Sequence, residues 1–317
     1  MKVLIAGATG AIGIPIVTRL MAAGDQVTGI VRSAAGVDAL DRLGAQAVGA
    51  DVLDRDALLR AVAGRRYDAV IHELTALKKP PARYRDMSAT NTLRTTGTAN
   101  LLEVAHLVGA SRFVTQSIVF GYGYRDHGDT LLTEDSPFGE PAGGPVDATL
   151  AAMRSAEEQV FADPGVEGVA LRYGLFYGGD ITATTRMLRR RMLPVTAWDG
   201  SLALIHHDDA ADATVAALRR GGADTAYNIV DDTPVTWRRY VESIATVVNA
   251  PRPMVLPGWL LRALAPYAGL FMTGLNMTVS NTRARLELGW APGHPSYLDG
   301  ITDSAGRARL AMGGPDR

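Results

Sequence analysis

The sequence contains no cysteine, which excludes disulfides, thiolate nucleophiles and Cys-ligated zinc and makes a reducing cytoplasm the expected location. Charge of either sign is not in excess: 32 basic residues stand against 33 acidic ones, for a net charge of -1. Nothing in that balance draws the chain to nucleic acid or to an anionic membrane, so neither is expected as a partner. Internal repeats, low-complexity tracts and a signal-peptide pattern are missing too; the apolar run 3–6 passes straight into a glycine turn. The apolar stretch 259–277 is interrupted by Arg262, Pro266, Gly269 and Gly274, whereas a membrane span needs about 20 predominantly apolar residues. It reads as an apolar helix and loop packed within the protein, with a mobile flap over a greasy ligand as the sharper alternative.

What is present begins with bulk. A chain of 317 residues, 47% hydrophobic, supplies a substantial core for one large domain or two closely packed ones. Its opening, MKVLIAGATGAIG, is a short apolar strand that runs into Gly7-x-x-Gly10-x-x-Gly13 and then into helical spacing. Gly7 permits a sharp turn, Gly10 lets backbone approach a pyrophosphate, and Gly13 lets the helix sit close on the strand while its free N–H groups face the anion. A nucleotide is the expected ligand, because the pattern lies between a buried strand and a helix.

The remainder of the first half alternates. Strands are expected at 26–31, at 45–49 running into Asp51-Val52, at 69–72, at 112–117 and at 169–172, with an amphipathic helix over 93–108. Such alternation predicts an α/β fold with a doubly wound parallel sheet. The second half is less regular: a loop at 137–145, a helix at 150–161, a basic helix at 181–192, a strand at 202–206, a helix at 208–220 stopped by Gly221 and Gly222, a strand at 227–230, a helix at 236–248, and a proline-rich, irregular 251–257. The expected division is a dinucleotide-binding domain over 1–178 and a smaller, mostly helical substrate-binding region over 179–317, with some strands returning to the first sheet.

GATGAIG, Asp51-Val52, NTLRTTGTANLLEVA, FVTQSIVFGYG, LRYGLFYGG, IHHDDAADA, AYNIVDDTPVTW and LGWAP follow in the order of the landmarks of extended short-chain dehydrogenases and NAD-dependent epimerase/dehydratases, which the chain resembles over nearly its whole length. The resemblance implies a Rossmann fold and a nicotinamide cofactor that gives or takes a hydride. It places Gly7, Thr9, Gly10, Ala11, Ile12 and Gly13 at the pyrophosphate, Asp51 and Val52 at the adenine, and Leu74, Thr75 and Ala76 along the ribose and nicotinamide, and it counts Tyr173 among the cofactor contacts. After the second strand stands Val31-Arg32-Ser33. An acidic side chain there accepts from a ribose 2′-OH, whereas Arg32 and Ser33 suit a 2′-phosphate, so NADPH (NADP+) is expected ahead of NADH.

The catalytic region departs from its family. Such enzymes use a serine to polarise a carbonyl and a tyrosine, four residues before a lysine, to exchange the proton. Ser117 stands where the serine belongs, as the expected catalytic residue, but no Tyr-x-x-x-Lys follows: one register sets Leu150 and Arg154 at the two positions, and a shift of one sets Thr149 and Met153. The missing proton has three conceivable sources: a substitute among Tyr122, Tyr124, His127 and Tyr173, an ordered water, or a phenol on the substrate itself. The last is the expectation carried forward. With that departure the chain is similar to atypical members of the family, ketoreductases that tailor aromatic polyketides of the angucyclinone type, so a polycyclic aromatic ketone is the expected small-molecule substrate. A nucleotide-sugar epimerase or dehydratase and a non-catalytic NADP-binding sensor are the alternatives. No metal is expected: His206-His207-Asp208-Asp209 reads as a helix start capped by aspartate. Arg186, Arg189, Arg190 and Arg191 read as a solvated helix face, Asn91 as either a residue that orders water or a proton relay near the nicotinamide or a helix residue bonded to a neighbouring strand, and Glu157 and Glu158 as unable to share one site. Monomer and homodimer are both left open.

Overall fold

Apolar runs too short for helices build the sheet. In the computed structural model, which describes residues 1–77, 79–179, 181–198 and 200–312 with the side chains of 309–312 excepted, β1 (Lys2–Ala6), β2 (Gln26–Val31), β3 (Gln46–Gly49), β4 (Ala69–His72) and β5 (Arg112–Ile118) run parallel and are joined by strands Glu167–Tyr173 and Thr225–Ile229. The order across the seven-stranded sheet is Thr225–Ile229, Glu167–Tyr173, β5, β4, β1, β2, β3. Strand Thr225–Ile229 therefore returns from the second half of the chain.

Because successive strand residues face opposite sides, β1 feeds two cores. Val3 and Ile5 pack with Ile16, Val17 and Leu20 of helix α1 (Gly13–Ala22), while Leu4 and Ala6 pack with Leu101, Val104, Ala105 and Val108. Val3, Leu4 and Ile5 have no exposed surface, and each contributes roughly 1.5–3 kcal/mol by burial. The chain leaves β1 towards β2 and β3, then crosses back to lay β4 on the other side of β1. That reversal opens a crevice at the carboxyl ends of β1 and β4, where open α/β sheets bind ligands.

Several elements differ from expectation for identifiable reasons. Residues 202–206 are two strands: Ser201–Leu202 pairs antiparallel with Val235–Thr236, Leu204–His206 pairs parallel with Leu175–Tyr177, and the chain changes partner at Ala203. The helix expected over 93–108 begins at Ser88 and carries a π-helical turn at Leu93–Gly97 before Thr98–Val108. The basic helix is confined to Thr182–Arg189, since Arg191 turns left-handed at φ 55°. Residues 259–277 form helices Gly258–Leu264 and Pro266–Gly274 and the start of strand Asn276–Val279, which pairs with Asp126–Leu132. Among the described residues no helix is long and apolar enough to cross a membrane.

Candidate active site

Gly7 ends β1 with φ +97°, and a Cβ there would lie 2.6 Å from the Glu73 carbonyl oxygen. Only glycine fits this turn. At Gly13 a Cβ would lie 2.1 Å from the Gly7 carbonyl oxygen, so the first turn of α1 sits directly on the loop; Ile14 N–H is bonded to the Gly10 carbonyl and Pro15 has no N–H, so the loop and the positive end of the helix dipole are what this terminus offers an anion. Beside them lies a cavity of about 330 Å³ lined by Gly7, Thr9, Gly10, Arg32, Asp51, Val52, Glu73, Leu74, Thr75 and Leu93, among others. An adjoining space of about 520 Å³ is bounded by Arg32, Ser33, Ala34 and Asp51. The glycine cradle, the helix terminus and an elongated two-part crevice fit a dinucleotide.

Arg32 is 71% exposed and 3.7 Å from Asp51. The Ser33 hydroxyl accepts from Gly36 N–H and caps helix α2 (Ala34–Arg42), leaving a second helix N-terminus beside Arg32. Five expected cofactor residues lie off the cavity lining, Gly13 among them beneath the loop. Ala11 is exposed, Ile12 is buried in the core under the turn, and Ala76 donates its N–H to the Thr90 hydroxyl. Tyr173 is wholly buried; its hydroxyl donates to Glu73 Oε1 at 2.9 Å and lies 2.7 Å from the Thr214 hydroxyl, so it supports the cavity wall from behind. Glu73 was not legible as a site residue. Burial pushes its carboxyl up to about 8, and its Oε2 has no partner.

Ser117 is also turned away from the crevice. Alternation along β5 points its hydroxyl at helix Asp147–Phe161, where it donates to Glu157 Oε1 at 2.5 Å. Glu157 in turn accepts from Arg172 Nη2 at 2.7 Å and Nε at 3.0 Å, and Arg172 Nη1 reaches the Tyr122 hydroxyl at 3.0 Å. The serine expected to steady a carbonyl oxygen thus belongs to a buried ion-pair network. Its neighbour Ile118 faces the site.

On helix Asp147–Phe161, Met153 faces the same site while Arg154 bends out to the Gly139 carbonyl and Glu140. Thr149 is buried and accepts from Asn91 Nδ2 at 3.1 Å. Of the two registers weighed for the missing Tyr and Lys, geometry therefore favours Thr149 and Met153, and neither supplies an acid. Asn91 bonds to a neighbouring helix rather than to a strand. Of the substitute donors, Tyr122 is engaged with Asn228 and Arg172, and the His127 ring lies against the Gly123 carbonyl. Tyr124 alone among them lines the substrate side, its hydroxyl 2.8 Å from that of Tyr267.

That substrate side is an apolar cavity of about 180 Å³ walled by Phe120, Tyr124, Trp237, Tyr267, Phe271 and Met272, with Ile118, Met153 and Arg94 among its other residues. Helix Pro266–Gly274 forms one wall, with Phe120 and Phe271 edge-to-face at 4.8 Å. The two cavities flank the π-helical turn, where Leu93 lines one and Arg94 the other. Such turns recur at functional sites. Arg94 is 5% exposed, and its Nε and Nη1 have no hydrogen-bond partner. A sequence signal for it existed: Thr90, Arg94, Gly97, Thr98, Leu101, Ala105 and Val108 form one buried helical stripe.

Elsewhere, the helix start at His207 is capped by His206, whose Nδ1 accepts from Asp208 N–H, rather than by an aspartate. His206 gathers with His294 and Asp303, their ligand atoms within 4.8 Å, and Arg307 holds Asp303 at 2.6 Å. Arg186, Arg189, Arg190 and Arg191 are exposed, and Glu158 is exposed while Glu157 is buried.

Comparison with known proteins agrees with this geometry. Residues 3–230 match the model of the NAD dependent epimerase/dehydratase family. The chain is 38% identical over 315 residues to a Streptomyces 3-diazoavenalumate denitrifying reductase, covering 95% of this chain and 99% of that one. It is 25% identical to the 4-hydroxy-2-methyl-3-oxo-4-farnesyl-3,4-dihydroquinoline-1-oxide ketoreductase of Stigmatella aurantiaca, covering 98% and 99%. The fold is similar to that of UDP-glucose 4-epimerase from Thermotoga maritima, solved with UDP-glucose, with a TM-score of 0.79 at 21% identity over 98% of this chain and 100% of that one.

Proposed function

The chain belongs to the NAD-dependent epimerase/dehydratase family, and from that premise we propose that it is an NADPH-dependent ketoreductase acting on a bulky aromatic ketone of the angucyclinone type whose own hydroxyl supplies the proton. At the coarser level it is an NAD(P)-dependent oxidoreductase, with reductases among its relatives. One observation carries the finer reading: an intact dinucleotide crevice stands with an apolar, aromatic-walled cavity in which Ile118 and Met153 occupy the places where acid chemistry is expected.

When bound, the nicotinamide supplies a hydride to the substrate. The chain's own part is to position and to exclude water. The turn at Gly7 and the α1 terminus hold the pyrophosphate, and Leu74, Thr75 and Leu93 line the nicotinamide half. Phe120, Phe271 and Met272 clamp a flat ring. Juxtaposition of the reacting atoms is worth about 7–11 kcal/mol, whereas a positioned general acid adds roughly 10²- to 10⁴-fold. A phenol adjacent to the ketone, already bonded to its oxygen, hands over its proton as the new C–H bond forms, and water later reprotonates the phenolate.

A second reading is favoured by the 38% identical relative, which is named for a diazo substrate. There hydride adds at the ring carbon, the C–N bond breaks, and dinitrogen leaves with the bonding pair, so no acid is needed. Nucleotide-sugar epimerisation is disfavoured, because it requires a base at a sugar hydroxyl, whereas the hydroxyls on these walls, Tyr124 and Tyr267, are bonded to each other and held protonated by burial. The test is NADPH oxidation, followed optically, against an ortho-hydroxylated polycyclic ketone, its methyl ether and an aryl diazo compound, with UDP-glucose incubated separately with NAD+ and assayed for UDP-galactose. Turnover of the hydroxy ketone but not of its ether supports the proposal. Turnover of the diazo compound alone supports the second reading, and NADPH bound yet never oxidised points to a sensor.

A further inference from the structure

Among the described residues, two arginines are almost completely buried, and they are treated differently. Arg172 is surrounded by what a buried guanidinium requires: two oxygens of Glu157, the Tyr122 hydroxyl and the faces of Tyr122 and Phe138. Arg94 has none of this. Among the described residues it joins no ion pair, its Nε and Nη1 are buried without a partner, and the groups nearest in charge are the hydroxyls of Tyr124 and Tyr267, which are bonded to each other. Arginine keeps its charge throughout the working pH range, and an uncompensated buried charge is among the most unfavourable features a fold can hold. Burial lowers its hold on the proton, as expected for a charge that lacks a counter-ion.

We infer that Arg94 anchors an oxyanion, a carboxylate or an ionised phenol, carried by the flat aromatic molecule that fills the apolar cavity. The inference rests on the reading of that cavity as the substrate side. Arg94 immediately follows Leu93 on the π-helical turn, and Leu93 lines the dinucleotide crevice. An oxyanion held there fixes the aromatic frame beside the nicotinamide end. Its planar donors match carboxylate and phenolate oxygens in a way that a point charge does not. Apart from the Tyr124 and Tyr267 hydroxyls, which are bonded to each other, the remaining walls are apolar, so a neutral ligand gains contact but leaves the charge uncompensated. Substrate choice by this site then selects for charge as well as for shape.

Calorimetric titration of the NADPH-loaded full chain tests this with two matched pairs: 2-naphthoate against 2-naphthamide, and 4-nitro-1-naphtholate against its methyl ether. The anion of at least one pair should bind about 10-fold or more tightly than its neutral partner, and the larger ratio identifies the source of the oxyanion. Arg94→Met should abolish that ratio while NADPH affinity stays unchanged, and Arg94→Lys should retain part of it. Equal affinity within both pairs in the unaltered protein overturns the inference, whatever the variants do. So does a ratio that persists in Arg94→Met. Turnover of the hydroxy ketone without any anion preference removes only the role of Arg94. Anion preference without oxidation of NADPH by any substrate removes the reductase reading and leaves the anchor standing.

Discussion

Replacing Ser117 by alanine separates a structural serine from a catalytic one. The hydroxyl lies on the face of β5 that packs against Glu157, with 2.5 Å between the oxygens, and it is 4% exposed. Alanine removes a hydrogen bond to a charged group, worth roughly 1.5–3 kcal/mol, but Glu157 keeps both nitrogens of Arg172 at 2.7 and 3.0 Å. The loss should therefore fall near the lower end, about 1.5 kcal/mol, measured as a shift in urea midpoint with unchanged slope. The rate of NADPH oxidation should stay within about 3-fold, because the side chain is not among those lining either cavity. A serine that polarised the carbonyl would cost about 10²- to 10³-fold in kcat when removed. Such a loss with undiminished stability refutes the placement. Glu157→Gln supplies the contrast: it leaves Arg172 buried without its counter-ion and should cost about 3–5 kcal/mol.

Arg32→Ala should raise the KM for NADPH about 10-fold and leave that for NADH unchanged, since the side chain borders the space beside the α2 terminus and a charge-assisted contact to phosphate is of that order. Stability should also carry a particular pH signature in the ligand-free chain. Burial raises Glu73 and Asp231 to about 8 and lowers His72 and His206 to about 4. The carboxyls hold protons in the folded chain that the unfolded chain releases above its ordinary carboxylate values, so their stabilisation declines up to pH 8. The histidines bind protons more weakly when folded, so stability rises from pH 4 to their ordinary value of 6.5. The two trends offset each other between about pH 4.5 and 6.5, and above this stability falls by about 1.4 kcal/mol per unit for each carboxyl. Denaturant titration should show the fall, and Glu73→Gln should roughly halve it.

How much of this was legible in the sequence depends on the period of each signal. The turn at Gly7 and the strands of the main sheet were readable because glycine spacing and short apolar runs leave few alternatives. A one-residue ambiguity in β5 was not, because alternation puts Ser117 and Ile118 on opposite faces and composition does not say which face meets the ligand. Helix Asp147–Phe161 posed the same difficulty, where adjacent registers place either Leu150 and Arg154 or Thr149 and Met153 at the site. The strand at 202–206 was legible as extended, but its division between two small sheets was not, because Ser201–Leu202 and Leu204–His206 are each too short for any periodicity. Arg94 could have been found from its place on an otherwise apolar and small-residue stripe. Glu73 could not, since its burial depends on Tyr173 and Thr214 arriving from distant strand and helix.

The central claim is that this chain contributes no proton donor to the reduction. Tyr124 and Tyr267 are the hydroxyls that face the substrate cavity, and burial holds both more firmly protonated than usual. The most direct measurement is therefore NADPH oxidation by the Tyr124→Phe, Tyr267→Phe double variant with the hydroxylated ketone at saturation. Turnover retained within about 10-fold is the predicted result. A loss of about 10²-fold or more, the range of a positioned acid, with NADPH binding intact, would identify a tyrosine as the donor and contradict the claim.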